Sequence, residues 1–114
     1  MIDVIYDGSF SLEVQGHAGQ APSGHDVVCA GASTLFCSLA EMLMHRKEKG
    51  DILSLDIAYD KGFGHVSAVP ALCFEKALRC AFEAVRLGYV HLAQNYPEHI
   101  RLMPDVNIFM DSPT

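Results

Sequence analysis

The chain has 114 residues, half of them apolar, with a formal net charge of −6 and a pI near 5.3. That length predicts one domain, residues 1–114, with a core small enough that dimerisation is a natural way to hide more apolar surface. The acidic balance argues against a nucleic-acid binder, which would gather Lys and Arg on one face, and leaves a basic protein partner open. No run approaches the roughly 18 unbroken apolar residues of a membrane span, and "MIDVIYDGSF" reads as a strand rather than a signal peptide. The four cysteines, Cys29, Cys37, Cys73 and Cys80, form no C-x-x-C pair, so reduced thiols in a cytoplasmic protein are expected.

Ile2, Val4 and Tyr6 alternate along a first strand, and Asp7-Gly8-Ser9 is a hairpin-turn signal. Phe10, Leu12 and Val14 then alternate with Ser11, Glu13 and Gln15, a half-buried second strand running into Gly16-His17. The loop at 18–25 holds Gly19, Pro22, Ser23, Gly24 and His25, a composition suited to a mobile flap. From Asp26 the period changes: Val28, Ala32, Leu35, Leu39 and Met42 mark one face of a helix. Asp26 is its expected N-cap, and Gly50, after the basic His45-Arg46-Lys47, its expected stop.

Ile52 to Tyr59 predicts a third strand, Asp60 to Gly64 a turn, and His65 to Val69 a fourth strand closed by Pro70. Leu78, Ala81, Phe82, Val85 and Tyr89 carry a second long helix, with Glu75, Arg79, Glu83 and Arg86 assigned to its outer side and an end before Pro97. Val106, Ile108 and Met110 suggest a short final strand. The order predicts an α+β fold, a two-layer sandwich in which two long helices cover one face of an antiparallel sheet. Its second face must then be polar or meet a partner.

The chemistry lies between Gly16 and Ser33. Cys29 falls in the first turn of the predicted helix, where backbone N–H groups and the dipole favour a thiolate. His17, at a strand end, has the chemistry to pair with it and to protonate a leaving amine. The same N–H groups can receive a developing oxyanion. Cysteine is equally among the most buried residue types, so the residues alone leave simple packing open. Ser33 shares the helical face of Cys29, although helical serines commonly bond back to the carbonyl four residues earlier. Cys37, about 12 Å further along the axis, reads as core, and Cys73 and Cys80 as packing on the second helix. A zinc site from His17, His25, Cys29 and Cys37 has the right ligand types, but H-x7-H-x3-C-x7-C is not a usual ligand spacing, and no metal is expected.

Gly16-His17-Ala18, then Gly24, Asp26, Val27, Val28, Cys29, Ala30 and Ser33, resembles the signature of the ribosomal-processing cysteine protease (Prp) family. The eleven residues between His17 and Cys29 also match that pattern, and element order and length agree over nearly the whole chain. Departures are Pro22 and His25 in the loop and Gly31-Ala32-Ser33 in place of the commoner Ala-Val-Ser after Cys29-Ala30. The resemblance implies Cys29 as nucleophile, His17 as base, and Asp26, Ser33 and Gly16 as supporting residues. It implies a loop bearing Gly19, Pro22, Gly24 and His25 that closes over a bound peptide, a homodimer, and no cofactor. The implied reaction removes a short N-terminal extension from large-subunit ribosomal protein twenty-seven, cutting after an aromatic residue. Two other classes fit the same residues: a non-catalytic, ribosome-associated peptide-binding module, and a thiol redox or metal sensor built on Cys29.

Overall fold

A computed structural model describes residues 1–16 and 27–103. Its elements in chain order are β1 (Ile2–Ile5), β2 (Ser11–Gly16), α1 (Val27–Glu48), β3 (Ile52–Asp60), β4 (Phe63–Pro70), α2 (Glu75–Asn95) and β5 (Ile100–Met103). A 3₁₀ turn at Leu72–Phe74 leads into α2. The fold is α+β: a five-stranded sheet in the order β3-β4-β2-β1-β5, together with the two helices.

Local chemistry makes the expected hairpins. Asp7 Oδ1 accepts hydrogen bonds from the Ser9 backbone N–H at 3.0 Å and the Ser9 hydroxyl at 2.7 Å, which tightens the β1–β2 turn. β1 and β2 pair antiparallel with Val4 opposite Val14, and β2 continues antiparallel onto β4 with Leu12 opposite Val66. The β3–β4 hairpin turns at Lys61-Gly62, where Gly62 has φ +78°. Helix α1 ends at a Schellman arrangement: the Gly50 N–H donates to the Lys47 carbonyl at 3.1 Å and the Asp51 N–H to the Arg46 carbonyl at 3.0 Å. An Arg46–Asp51 ion pair at 3.1 Å ties the same turn together.

The sheet is mixed rather than antiparallel, because β5 pairs with β1 in parallel, Val4 opposite Leu102. Turn signals specify strands that are neighbours in the chain. The partner of the last strand depends on where α2 returns it, which no local pattern encodes. That strand is Ile100–Met103; the expected Val106, Ile108 and Met110 lie outside the described residues.

Ile2, Val4, Leu12, Val66, Ala68, Ile100 and Leu102, which share one sheet face by register, are buried with Phe36, Leu39, Leu43, Leu78, Phe82 and Tyr89 of the helices. The opposite face is polar. It carries Asp3 bonded to Arg101 at 2.6 Å, and His65 between Glu13 at 3.6 Å and Asp56 at 4.0 Å. In α1 the buried residues are Val28, Ala32, Phe36, Leu39, Ala40 and Leu43. Leu35 and Met42, assigned to the stripe from spacing, are only partly buried, because α1 meets both β3 and α2 and its apolar surface is shared between them. Leu35 rests against Gly88 of α2, where a Cβ would stand 2.7 Å from its Cδ2. Helix α1 is long and apolar enough in composition to cross a bilayer, yet it packs on β3 and α2 as a core helix.

Arg86 was expected on the outer side of α2; its residue exposure is only 7 %. Its guanidinium donates to both Glu83 carboxylate oxygens, Nε at 2.9 Å and Nη2 in a short contact, and that ion pair makes its burial tolerable. The thiols also depart from expectation. Cys37, Cys73 and Cys80 are exposed rather than core, and Cys73 lies in the 3₁₀ turn, not in α2. A sulfur with apolar neighbours in sequence can still fall on the wet side of a helix, since burial follows the helix's neighbours and not residue type.

Candidate active site

Cys29 is the third residue of α1, half-buried and packed against the core cluster. It lines a cavity of about 200 Å³ together with Ala32, Ser33 and Phe36 further along the helix. The 3.6-residue repeat brings these positions to one side, and Ser33, exposed, lies one turn beyond the sulfur. Strand β2 contributes Val14 and Gly16 to the same cavity, and β1 contributes Ile2. The remaining wall is the β3–β4 hairpin end from Tyr59 to Gly64.

Gly16 closes β2 in a conformation that favours glycine, with φ +107°. An added Cβ would stand 2.2 Å from the Met1 carbonyl oxygen, so a side chain here would force the Met1 backbone to shift as well as strain its own. The Gly16 N–H donates to the Gly62 carbonyl at 2.9 Å, which fastens the strand end to the hairpin tip. At that tip the cavity mouth carries one carboxylate and one ammonium, Asp60 and Lys61, with Asp60 Oδ1 accepting the Lys61 backbone N–H at 2.7 Å.

The helix bearing Cys29 is held from behind. The Tyr89 hydroxyl of α2 donates to the Ala32 carbonyl at 2.9 Å, and the residue is completely buried. Burial first, then proximity to Cys37 and Tyr59, raises the Tyr89 hydroxyl well above its ordinary value, so it remains a neutral donor. Gly31 lies against Leu92, where a Cβ would come within 3.1 Å of Cδ2. This glycine, two residues after the cysteine, therefore serves close helix approach, which offsets part of its cost in helix propensity.

Of the residues singled out in the sequence, the structure brings Gly16, Cys29 and Ser33 together around one cavity. His17, Asp26 and the loop residues Gly19, Pro22, Gly24 and His25 lie outside the described residues. Two of the four zinc candidates, His17 and His25, are among them. Among the described residues no group of three or more His, Cys, Asp and Glu is arranged to hold a metal ion. Sequence reasoning missed Phe36 and the hairpin from Tyr59 to Gly64. The signal available for the hairpin was the pair of aromatic residues, Tyr59 and Phe63, flanking the glycine turn.

Comparison with known proteins agrees with this architecture. The essential ribosomal processing protease Prp from S. aureus, in complex with a covalently linked product peptide, is 24% identical with a TM-score of 0.68, covering 89% of this chain and 94% of that one. The same protease with a substrate peptide is 23% identical with a TM-score of 0.63 at the same coverage. SMU.848 from Streptococcus mutans is 29% identical with a TM-score of 0.60, covering 89% of each chain. No curated protein matches. A family model described as cysteine protease Prp matches residues 1–101. The chain belongs to the Prp family of cysteine proteases.

Proposed function

We propose that the protein is a cysteine endopeptidase that matures a ribosomal protein, removing a short N-terminal extension from large-subunit ribosomal protein twenty-seven. The observation that carries this reading is the placement of Cys29 in the first turn of α1, facing a cavity that Gly16 also lines. His17 follows Gly16 directly in the sequence.

In this mechanism the Cys29 thiolate attacks the scissile carbonyl carbon, and the carbonyl π electrons move onto oxygen. The first-turn N–H groups of α1 and the positive end of its dipole stabilise that oxyanion. His17, protonated, gives its proton to the departing amine as the C–N bond breaks, leaving a thioester on Cys29. His17 then takes a proton from water, whose oxygen displaces the sulfur and releases the new carboxylate. Asp26 supports the imidazole and Ser33 the reacting groups, while the loop at 18–25 closes over the peptide and excludes water.

The reading includes a homodimer acting in the cytoplasm, and a two-layer arrangement with both helices on the sheet face that carries Val4, Leu12 and Val66. The burial of that face beside a polar opposite face supports the two-layer arrangement.

The test is cleavage of a peptide spanning the extension and the cut, followed by mass spectrometry. Cys29→Ala and His17→Ala each abolish product while circular dichroism shows a folded protein. Cutting by either variant at near the parent rate overturns the assignment. Iodoacetamide at pH 6 labels Cys29 ahead of Cys37, Cys73 and Cys80; equal labelling of all four thiols counts against an activated Cys29.

A further inference from the structure

We infer that Tyr89 is a positioning residue for the Cys29 nucleophile: its hydroxyl, bonded to the Ala32 carbonyl, fixes where α1 stands along its own axis. This inference rests on the peptidase reading above and adds to it a residue outside the cavity.

The contact between α1 and α2 is lined by glycine on both helices. On α1, Gly31 faces Leu92 of α2, where a Cβ would come within 3.1 Å of Cδ2. On α2, Gly88 faces Leu35 of α1, where a Cβ would stand 2.7 Å from Cδ2. Helices that pack ridge into groove resist sliding because side chains catch between those of the neighbour. A glycine has no side chain to catch on. Gly31 and Gly88 therefore let the helices come close, and the two leucines hold their separation. Dispersion against a smooth backbone sets the axial position only weakly.

A hydrogen bond is directional where dispersion is not, and it weakens steeply as its angle falls toward about 120°. Tyr89 follows Gly88 in α2 and Ala32 follows Gly31 in α1, so the 2.9 Å bond between them lies in the same contact. The Ala32 carbonyl has two lone pairs and can take the hydroxyl while keeping its helical partner. Tyr89 is completely buried, and burial keeps its hydroxyl neutral and donating. A buried hydroxyl cannot turn to solvent, so an axial slip would leave it unsatisfied, which is costly in the interior. The bond is the pin in an otherwise smooth contact.

Cys29 precedes Ala32 by three residues, about 4.5 Å along the axis of the same helix. A displacement at Ala32 is therefore carried to the sulfur. The facing walls of the cavity, Gly16 of β2 and the hairpin end from Tyr59 to Gly64, belong to the sheet rather than to α1. Losing the pin shifts the nucleophile against the groups that hold the peptide. The binding surface keeps its composition while the attack geometry suffers, so kcat falls and KM does not.

The experiment compares Tyr89→Phe, which removes one oxygen, with Gly8→Ala, a destabilising change in the β1–β2 turn outside both helices. Cleavage of the extension peptide is measured well below either melting temperature, where circular dichroism shows both variants folded. Tyr89→Phe lowers kcat by roughly threefold to tenfold with KM within about twofold of the parent, short of the roughly hundredfold cost of an ångström's misplacement. Gly8→Ala leaves both constants within about twofold of the parent. A Tyr89→Phe kcat within about twofold of the parent, an equal fall in Gly8→Ala, or a rise in KM in place of the fall in kcat overturns the inference. Should Tyr89→Phe not fold, Tyr89→Met, whose flexible side chain fills the same space, carries the same expectation. Failure of both to fold makes the hydroxyl a stability element alone and overturns the inference. If the parent cuts no peptide, the peptidase reading falls, and the pin is read from alkylation of Cys29 by iodoacetamide, followed by mass spectrometry. Tyr89→Phe then slows the reaction at pH 6 by about threefold and leaves it unchanged at about pH 9.5, where an ordinary thiol ionises without help from its neighbours. Equal rates for parent and variant at pH 6 overturn the pin.

Discussion

Replacing Gly16 by alanine tests how the strand end beside the Cys29 cavity is built, and Gly8 provides a matched control. Both glycines have positive φ, +107° and +96°, so alanine at either site pays for a left-handed conformation, about 1–2 kcal/mol. The surroundings differ. Nothing lies within 4 Å of a Cβ at Gly8, whereas at Gly16 the Met1 carbonyl oxygen is 2.2 Å away. Met1 is half-exposed and outside the strand, so it moves rather than β2, and its movement frays the start of β1. There Ile2 pairs with Gly16 and its N–H donates to the His99 carbonyl at 2.8 Å. Losing one such hydrogen bond adds about 1 kcal/mol. With about 2.1 cal/mol/K of unfolding entropy per residue, the 114-residue chain loses about 4 °C of Tm per kcal/mol. Thermal unfolding followed by circular dichroism therefore lowers Tm by about 5 °C for Gly8→Ala and about 10 °C for Gly16→Ala. Equal shifts for the two variants, or a Gly16→Ala melt within about 2 °C of the parent, would refute the argument.

Tyr89→Phe removes the hydroxyl bonded to Ala32 and costs about 1 kcal/mol, read as a lower urea midpoint at unchanged m-value; an unchanged midpoint means the bond to α1 contributes nothing. The Arg86 guanidinium bonded to Glu83 holds its carboxyl below the usual carboxylate range. Since the folded-state value is depressed, that stabilisation is present above the unfolded carboxylate's pKa and fades as pH falls through the folded one. Glu83→Gln should accordingly flatten the acid side of the stability–pH curve, by less than about 1 kcal/mol because the carboxylate is half-exposed, and a curve superimposable on the parent's would count against it. Cys37, Cys73 and Cys80 are exposed, so all three react with Ellman's reagent in the native protein without denaturant. Fewer than three accessible thiols would mean that one of those helix faces is covered.

Part of the cavity lining could be read before any coordinates. The strand ending at Gly16 and the cysteine opening a helix were legible because each is a local statement, alternation in one case and a 3.6-residue period in the other, while His17 and the loop at 18–25 lie outside the described residues. Gly50 was legible as a helix stop for the same reason, and its Schellman bonds bear it out. Arg86 was misplaced because periodicity weighs residue type, and a buried guanidinium becomes acceptable only through a neighbouring carboxylate such as Glu83. The helical stripe was displaced toward Phe36 and Leu43 because α1 answers to a strand and a helix together.

What the sequence determined by itself was the order of strands and helices through α2 and the place of Cys29 in the first turn of a helix, since hydrogen-bond periods and turn residues act over a few positions. Only the tertiary structure decided that β5 returns parallel beside β1 and that the β3–β4 hairpin walls the cavity. It alone seats Phe36 on a glycine of β4 beneath the cysteine's helix. Those are contacts between residues far apart in the chain, set by how the helices and sheet share one core, and no short-range pattern carries them.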